Sequence, residues 1–454
     1  MSARGLYGIL VALGVLFTVS FLAFAASPTD RQDCAGNVDK PDLRIAACTL
    51  VIDDASETTA NHVAAYISRG AAYLNKKDYD PAIADYSAAI KLDPKSSTAY
   101  NGRGNVYFAK ADFDLAIAAY GEAIKVNPKY AAAYYNRGLV YNNKKDYDRA
   151  IAEFDEAIKL DPKYAAAYQQ RAFAYFNKKD FERSIADQNE AININPKYAQ
   201  AYSNRGRAWT GNGDFDKGIA DLSEAINFDP KYAYAYGYRG YAEFQKQLVT
   251  KKGGWDPAIA DYSEAIKLDP KWVWAYSSRG FAYKNKGDFD NALPDCSQAI
   301  KLDPKFGDGY SCRGAVYFGK KDYQHAIDDY TVALTLDPKD GAAHWNRGNA
   351  YKELGKLDNA IQDYGEAVKI NPKDFLAFNS RGKVYAVKGD NNRAVADYSE
   401  AIKFNALYVE AYDNRGLAYK AMGRKAEAIA DFRKAQSIDP TDQVSRNELR
   451  SFGG

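Results

Sequence analysis

Histidine is nearly missing from this chain of 454 residues: His62, His325 and His344 are the only three, and they are scattered. The commonest general base and metal ligand is therefore in short supply. Cysteine is as sparse. Cys34, Cys48, Cys296 and Cys312 form no C-x-x-C pair and have no histidine close in sequence, which argues against a zinc cluster. Neither H-E-x-x-H nor G-x-S-x-G occurs, and Gly348 to Lys356 (GNAYKELGK) has the wrong spacing for a phosphate loop and lacks the following Ser/Thr. No sign of charge prevails either. The 61 basic and 59 acidic residues are interleaved to a net +2, with no basic stripe for nucleic acid. Catalytic residues, metals, cofactors and nucleic-acid partners are accordingly not expected, and the chain reads as non-enzymatic.

The first residues depart from the rest. Arg4 gives a short basic start, Leu6 to Ala26 is an apolar run, and Ala23-Phe24-Ala25 supplies a small-x-small cleavage pattern. Residues 1–25 read as a signal peptide, or as a signal anchor, because a run of about 20 apolar residues is also long enough to span a bilayer. Both versions export the remainder, to the periplasm or beyond, with residues 6–26 as the sole membrane contact.

What the chain has in abundance is a repeat. Proline recurs at 94, 128, 162, 196, 230, 270, 304, 338, 372 and 440 in an Asp/Asn-Pro step of 34 residues, broken once by a step of 40, with Ala406 standing for one missing proline. A period of this size marks a supersecondary unit stacked many times. The copy AYNGRGNVYFAKADFDLAIAAYGEAIKVNPK, Ala99 to Lys129, resembles the tetratricopeptide repeat in its order of Tyr, Gly, Tyr, Ala, aromatic, Ala and Pro. The resemblance covers 63–442 and implies an all-α, right-handed superhelical solenoid of eleven helix–turn–helix repeats. It implies an interaction scaffold of the bacterial envelope, and says little about the partner. Residues 26–62 read as a capping half-repeat and 443–454 as a polar capping helix. The sixth unit, 233–272, carries six extra residues, placed in its inter-helix turn around Gln245 to Gly254.

Counting places from 63, 97, 131 and so on, helix A is expected at places 1–14 and helix B at 18–30. Place 8 is Gly in ten copies, which suggests that two backbones approach too closely for a side chain. Place 7 is Arg in all eleven, and place 23 is acidic in all but the second, which has Ala119. Equal numbers of opposite charges suggest a ladder of partly buried pairs rather than a cationic groove. Cys34 and Cys48 are placed to staple the opening half-repeat. Cys296 stands at a framework aromatic position, and with Cys312 it is a second disulfide candidate.

Places 2, 5, 9 and 12 share another face of helix A, roughly 120° from the framework face, and in the family resembled this face lines the concave surface. Phe108, Tyr135, Phe173, Phe176, Tyr234, Tyr241, Phe244, Trp274, Phe281, Phe318 and Trp345 fall there, with Tyr238 beside them, and half of the twelve belong to repeats 6 and 7. An aromatic stripe not needed to close the helix pair reads as a binding surface for a protein or peptide segment, unless tight curvature buries its rings against the next helix A. The alternative is a polysaccharide, since rings interleaved with Asn101, Asn142 and Asn143 suit sugars too. The carboxylate clamp of the family is not expected: no place 5 is lysine, and Asn136, Asn204, Asn346 and Asn414 lack its other members.

Overall fold

The computed structural model describes residues 25–37 and 40–453; the leader, but for its last residue, lies outside them. Every regular element among the described residues is helical. Two compact units form, Met1–Pro196 and Lys197–Gly454. The first holds a short opening helix Pro28–Gln32, a helix Pro41–Asp53, and four helix pairs. The second holds seven pairs and a final helix, Gln443–Ser451. Within each unit, neighbouring helices pack as antiparallel A–B pairs, and each B packs on the A that follows.

A typical pair is repeat 2, with helix A at Ser97–Ala109 and helix B at Phe113–Val126. Helix B thus begins one residue earlier than the turn chemistry suggests. The A–B turn is a Schellman-type closure: Asp112 N–H donates to the Tyr107 carbonyl at 2.9 Å, with Ala111 in the left-handed region at φ 62°. The same place is Lys77, Lys145, Lys179 and Lys321 in other repeats, and glycine in five more. Repeat 6 corrects the expectation for its insertion. The extra residues lengthen helix A, which runs Ala233–Thr250, instead of forming a long loop. Gln245 to Thr250 contains no glycine or proline, so the helix continues to Lys251, and Gly253 and Gly254 make the turn.

Most place-8 glycines face a ring, while the expected backbone approach is found at Gly206, where a Cβ would stand 2.8 Å from the Gly218 carbonyl, and at Gly240, 3.1 Å from that of Ala258. A Cβ on Gly104 would stand 2.6 Å from the Tyr120 ring, one on Gly138 2.6 Å from Phe154, and one on Gly382 2.7 Å from Tyr398. Each ring comes from place 24 of helix B and is the largest buried group of its repeat. Repeat 7 has Cys296 at place 24, and there the two sulfurs of a Cys296–Cys312 disulfide fill the position of the ring, each 2.7 Å from a Cβ placed on Gly280. A Cys34–Cys48 disulfide, Cα atoms 4.6 Å apart, ties the opening segment to helix Pro41–Asp53.

The charge ladder is present. Ten place-7 arginines hold the acidic residue of their own helix B, as Arg69 holds Asp85 at 2.8 Å, Arg137 Glu153 at 2.8 Å and Arg381 Asp397 at 2.7 Å. Most grip it in a fork, Nε and Nη2 each donating to one carboxylate oxygen; in Arg381 these bonds are 2.8 and 2.7 Å. In several repeats Nη1 also donates to a hydroxyl on the preceding helix B, as Arg239 does to Ser223 at 3.1 Å and Arg279 to Ser263 at 3.0 Å. The counter-charges come from within, so this face is not a cationic groove.

Candidate functional site

Repeats 6 and 7 bring the aromatic residues together. Helix A of repeat 7 is Val273–Lys286, and Trp272 is its N-cap, with a non-helical backbone. That change of backbone sends Trp272 and Trp274 to the same side, their ring centroids 5.3 Å apart. Trp272 lies 4.6 Å from Tyr234 and 6.1 Å from Tyr238. It fits because place 5 of repeat 6 is Gly237, where a Cβ would come within 2.3 Å of the indole. Trp274 in turn meets Tyr238 at 5.6 Å, Tyr241 at 6.0 Å and Tyr262 at 5.9 Å. The Arg207 guanidinium lies over the Tyr238 ring, 4.1 Å from its centroid, a cation–π contact.

The inner end of this cluster opens into a pocket of ≈ 310 Å³ between the A helices of repeats 6, 7 and 8, the last being Gly307–Gly319. Tyr241, Phe244, Tyr262, Trp274 and Phe281 form its aromatic wall, while Ser277, Ser278 and Asp308 form a polar edge. Ser277 Oγ donates to the Trp274 carbonyl at 3.1 Å. Burial holds the Tyr262 hydroxyl protonated well above its ordinary range, and Ser278 hydrogen-bonds it. Asp308 keeps an exposed face, yet crowding by the chain, and then the charges of Asp340 and Asp337, raise its carboxyl pKa. Cys312 reaches toward the Ser277 carbonyl at 3.4 Å, so the disulfide lies directly behind the polar edge. A place of this kind can hold a flat apolar group and hydrogen-bond its rim.

The other predicted residues do not join this pocket. Phe318 packs 5.4 Å from Tyr323 of its own helix B, and Trp345 donates from Nε1 to Ser380 Oγ at 3.1 Å. Trp345 borders a second, more polar opening of ≈ 210 Å³ with Lys352, Lys383 and Glu410. In the other unit Phe173 is 41% exposed, Phe176 lies 5.5 Å from Phe181, and Tyr135 lies 5.9 Å from Phe154 and 4.9 Å from Tyr164. The place-12 rings overturn part of the expectation. Phe108, Phe176, Phe244 and Phe318 each pack on the place-17 ring of their own repeat (Phe113, Phe181, Trp255 and Tyr323), so they do help close the helix pair. Sequence reasoning missed Trp272, Tyr262, Ser277, Ser278 and Asp308. For Trp272 the signal was present, in the pairing of an unusual indole with the glycine Gly237.

Among the described residues, no group of three or more His, Cys, Asp or Glu side chains could hold a metal ion, and no helix is long and apolar enough to cross a membrane.

Comparison with known proteins agrees with the geometry. Tetratricopeptide repeat families match at 101–165, at 273–306, and at 165–198 and 409–442. A further TPR repeat family matches at 70–111, 248–287, 316–355, 348–389 and 384–423. No curated protein matches the chain. Among solved structures, the APC/C hetero-tetramer Cut9-Hcn1 is similar with a TM-score of 0.50 at 16% identity, over 93% of this chain and 95% of that one. Yeast Tom70 gives 0.44 at 13% identity over 87% and 95%, and the MamA protein 0.34 at 26% identity over 37% and 92%. With helix pairs in register and family matches over well more than half of its length, the chain belongs to the tetratricopeptide repeat family.

Proposed function

We propose that this protein is a non-catalytic interaction scaffold of the bacterial envelope, which holds a protein segment at repeats 6 to 8. The observation that carries this reading is the pocket walled by five aromatic rings that its own side chains leave open. An apolar or aromatic side chain of the partner enters beside Trp274. Its burial supplies the affinity, at about 25 cal/mol per Å², and Ser277, Ser278 and Asp308 orient it. Two disulfides suit export into an oxidising compartment, the periplasm, behind the N-terminal apolar run.

A second reading is a glycan groove in polysaccharide assembly or export. It is favoured by one feature, a Trp face flanked by hydroxyls and a carboxylate, which suits a sugar ring. A photo-crosslinking residue in place of Tyr241 separates the two in living cells. Tyr241 is 38% exposed at the rim, so replacing it leaves the Trp274 stack in place. A discrete protein adduct that disappears in Phe281→Ala supports the first reading. A glycosidase-sensitive smear supports the second, and the absence of any adduct rejects both.

A further inference from the structure

We propose that Arg103, in repeat 2, is a binding site for a small carboxylate ion. In the ten other repeats the place-7 guanidinium is matched by a carboxylate at place 23; here that residue is Ala119, whose methyl group ends where an aspartate would carry its carboxyl. No carboxylate among the described residues lies within salt-bridge distance of Arg103. Its Nε is buried and has no hydrogen-bond partner.

Arg103 nevertheless keeps the pose of its counterparts. Its Cζ lies 5.6 Å from the Tyr100 ring centroid, against 5.6 Å for Arg69 over Tyr66 and 5.8 Å for Arg137 over Tyr134. Its Nη1 reaches Ser87 Oγ on the preceding helix B at 3.4 Å, as Arg69 Nη1 reaches Thr49 at 2.8 Å. With the ring and the hydroxyl fixing two sides of the guanidinium as in its counterparts, the Nε–Nη2 edge faces place 23, where Ala119 offers no acceptor. Elsewhere in the chain that edge grips an aspartate through two donors, for example at 2.9 and 2.8 Å from Arg69 to Asp85.

A partly buried charge without a partner is costly. The fork selects the ligand. Two parallel N–H donors match the two oxygens of a planar carboxylate, whereas chloride offers them a single atom to share. Arg103 is itself only partly buried, so a small ion reaches the guanidinium from solvent. Formate and acetate have the size of the missing group. Binding consists of ion pairing alone; no bond is made or broken.

Amide hydrogen exchange on the full chain tests the assignment, comparing sodium acetate with sodium chloride at equal ionic strength. By linkage, acetate at ten times its dissociation constant slows exchange through the opening of Phe113–Val126 about eleven-fold. Repeat 4 is unchanged. Ala119→Asp supplies the carboxylate internally, so it exchanges slowly already in chloride and ignores acetate. Arg103→Gln, which removes the charge, loses the acetate response. Equal exchange of the wild type in both salts overturns the proposal, as does equal acetate protection of Ala119→Asp. Protection of the wild type by phosphate as strong as by acetate overturns the carboxylate class.

Discussion

Asp397→Ala is the sharpest test of the charge ladder, because Arg381 has nowhere else to turn. Its Nε and Nη2 donate to Asp397, and the place on the preceding helix B that offers a hydroxyl to other rungs is Gly365, whose built Cβ would lie 3.7 Å from Arg381 Nη1. Removing one member of a buried pair costs about 3–5 kcal/mol. Arg381 keeps a side-chain edge 20% exposed, so water takes up part of the lost bonding and about 3 kcal/mol is expected. Asp85→Ala is milder by about 1 kcal/mol, since Arg69 retains Thr49 at 2.8 Å. The double variant Arg381→Met with Asp397→Ala leaves no charge behind and returns to within about 1 kcal/mol of wild type. A stack of repeats has no single unfolding free energy, so the assay is local: hydrogen exchange of Asn391–Phe404 for Asp397→Ala and of Tyr79–Leu92 for Asp85→Ala. Equal losses in the two single variants, or a double variant worse than Asp397→Ala, refute the reasoning.

Two further outcomes follow from the geometry. Asp413 is 5% exposed, and burial, then the charge and hydrogen bond of Asp442, then Glu410, push its carboxyl up from 3.8 to about 7. A raised folded-state value means that the docked form binds the proton more tightly. The docking of Gln443–Ser451 therefore weakens as pH rises from 3.8 to about 7 and is flat above that, and Asp413→Asn removes the slope; the exchange-derived opening free energy of the helix checks this. Gly237→Ala adds a methyl 2.3 Å from Trp272, so the indole must move at a cost of about 1–3 kcal/mol. Tryptophan emission then shifts to the red. A neutral or stabilised variant, which helix propensity alone favours by about 1 kcal/mol, counts against the packing described for the cluster.

The fold is legible in the sequence because it is written many times. One Arg–Asp coincidence means little, but Arg at place 7 facing an acid at place 23 in ten registers specifies an inter-helix pair before any coordinates exist. Single positions are harder. The place-8 glycines point to close approach, but whether a backbone or a ring fills the space depends on where place 24 lands in three dimensions. The insertion in repeat 6 reads as a loop by position, although Gln245–Thr250 has the composition of a helix. The pocket is legible only in half. Places 2 and 9 mark Trp274, Tyr241 and Phe281, while Ser278, Tyr262 and Asp308 come from three different helices and acquire meaning by packing.

The hydroxyl contacts of the ladder set how the stack comes apart. An arginine that holds its own helix B and also the preceding one makes the loss of one repeat a loss for its neighbour, as at Arg239, Arg279 and Arg415 with Ser223, Ser263 and Ser399. Melting then proceeds in blocks instead of repeat by repeat. The seams between blocks fall where glycine replaces the hydroxyl, at Gly121 before Arg137 and Gly365 before Arg381. A protein built of eleven similar units therefore has individually addressed breaking points, each set by one missing side chain.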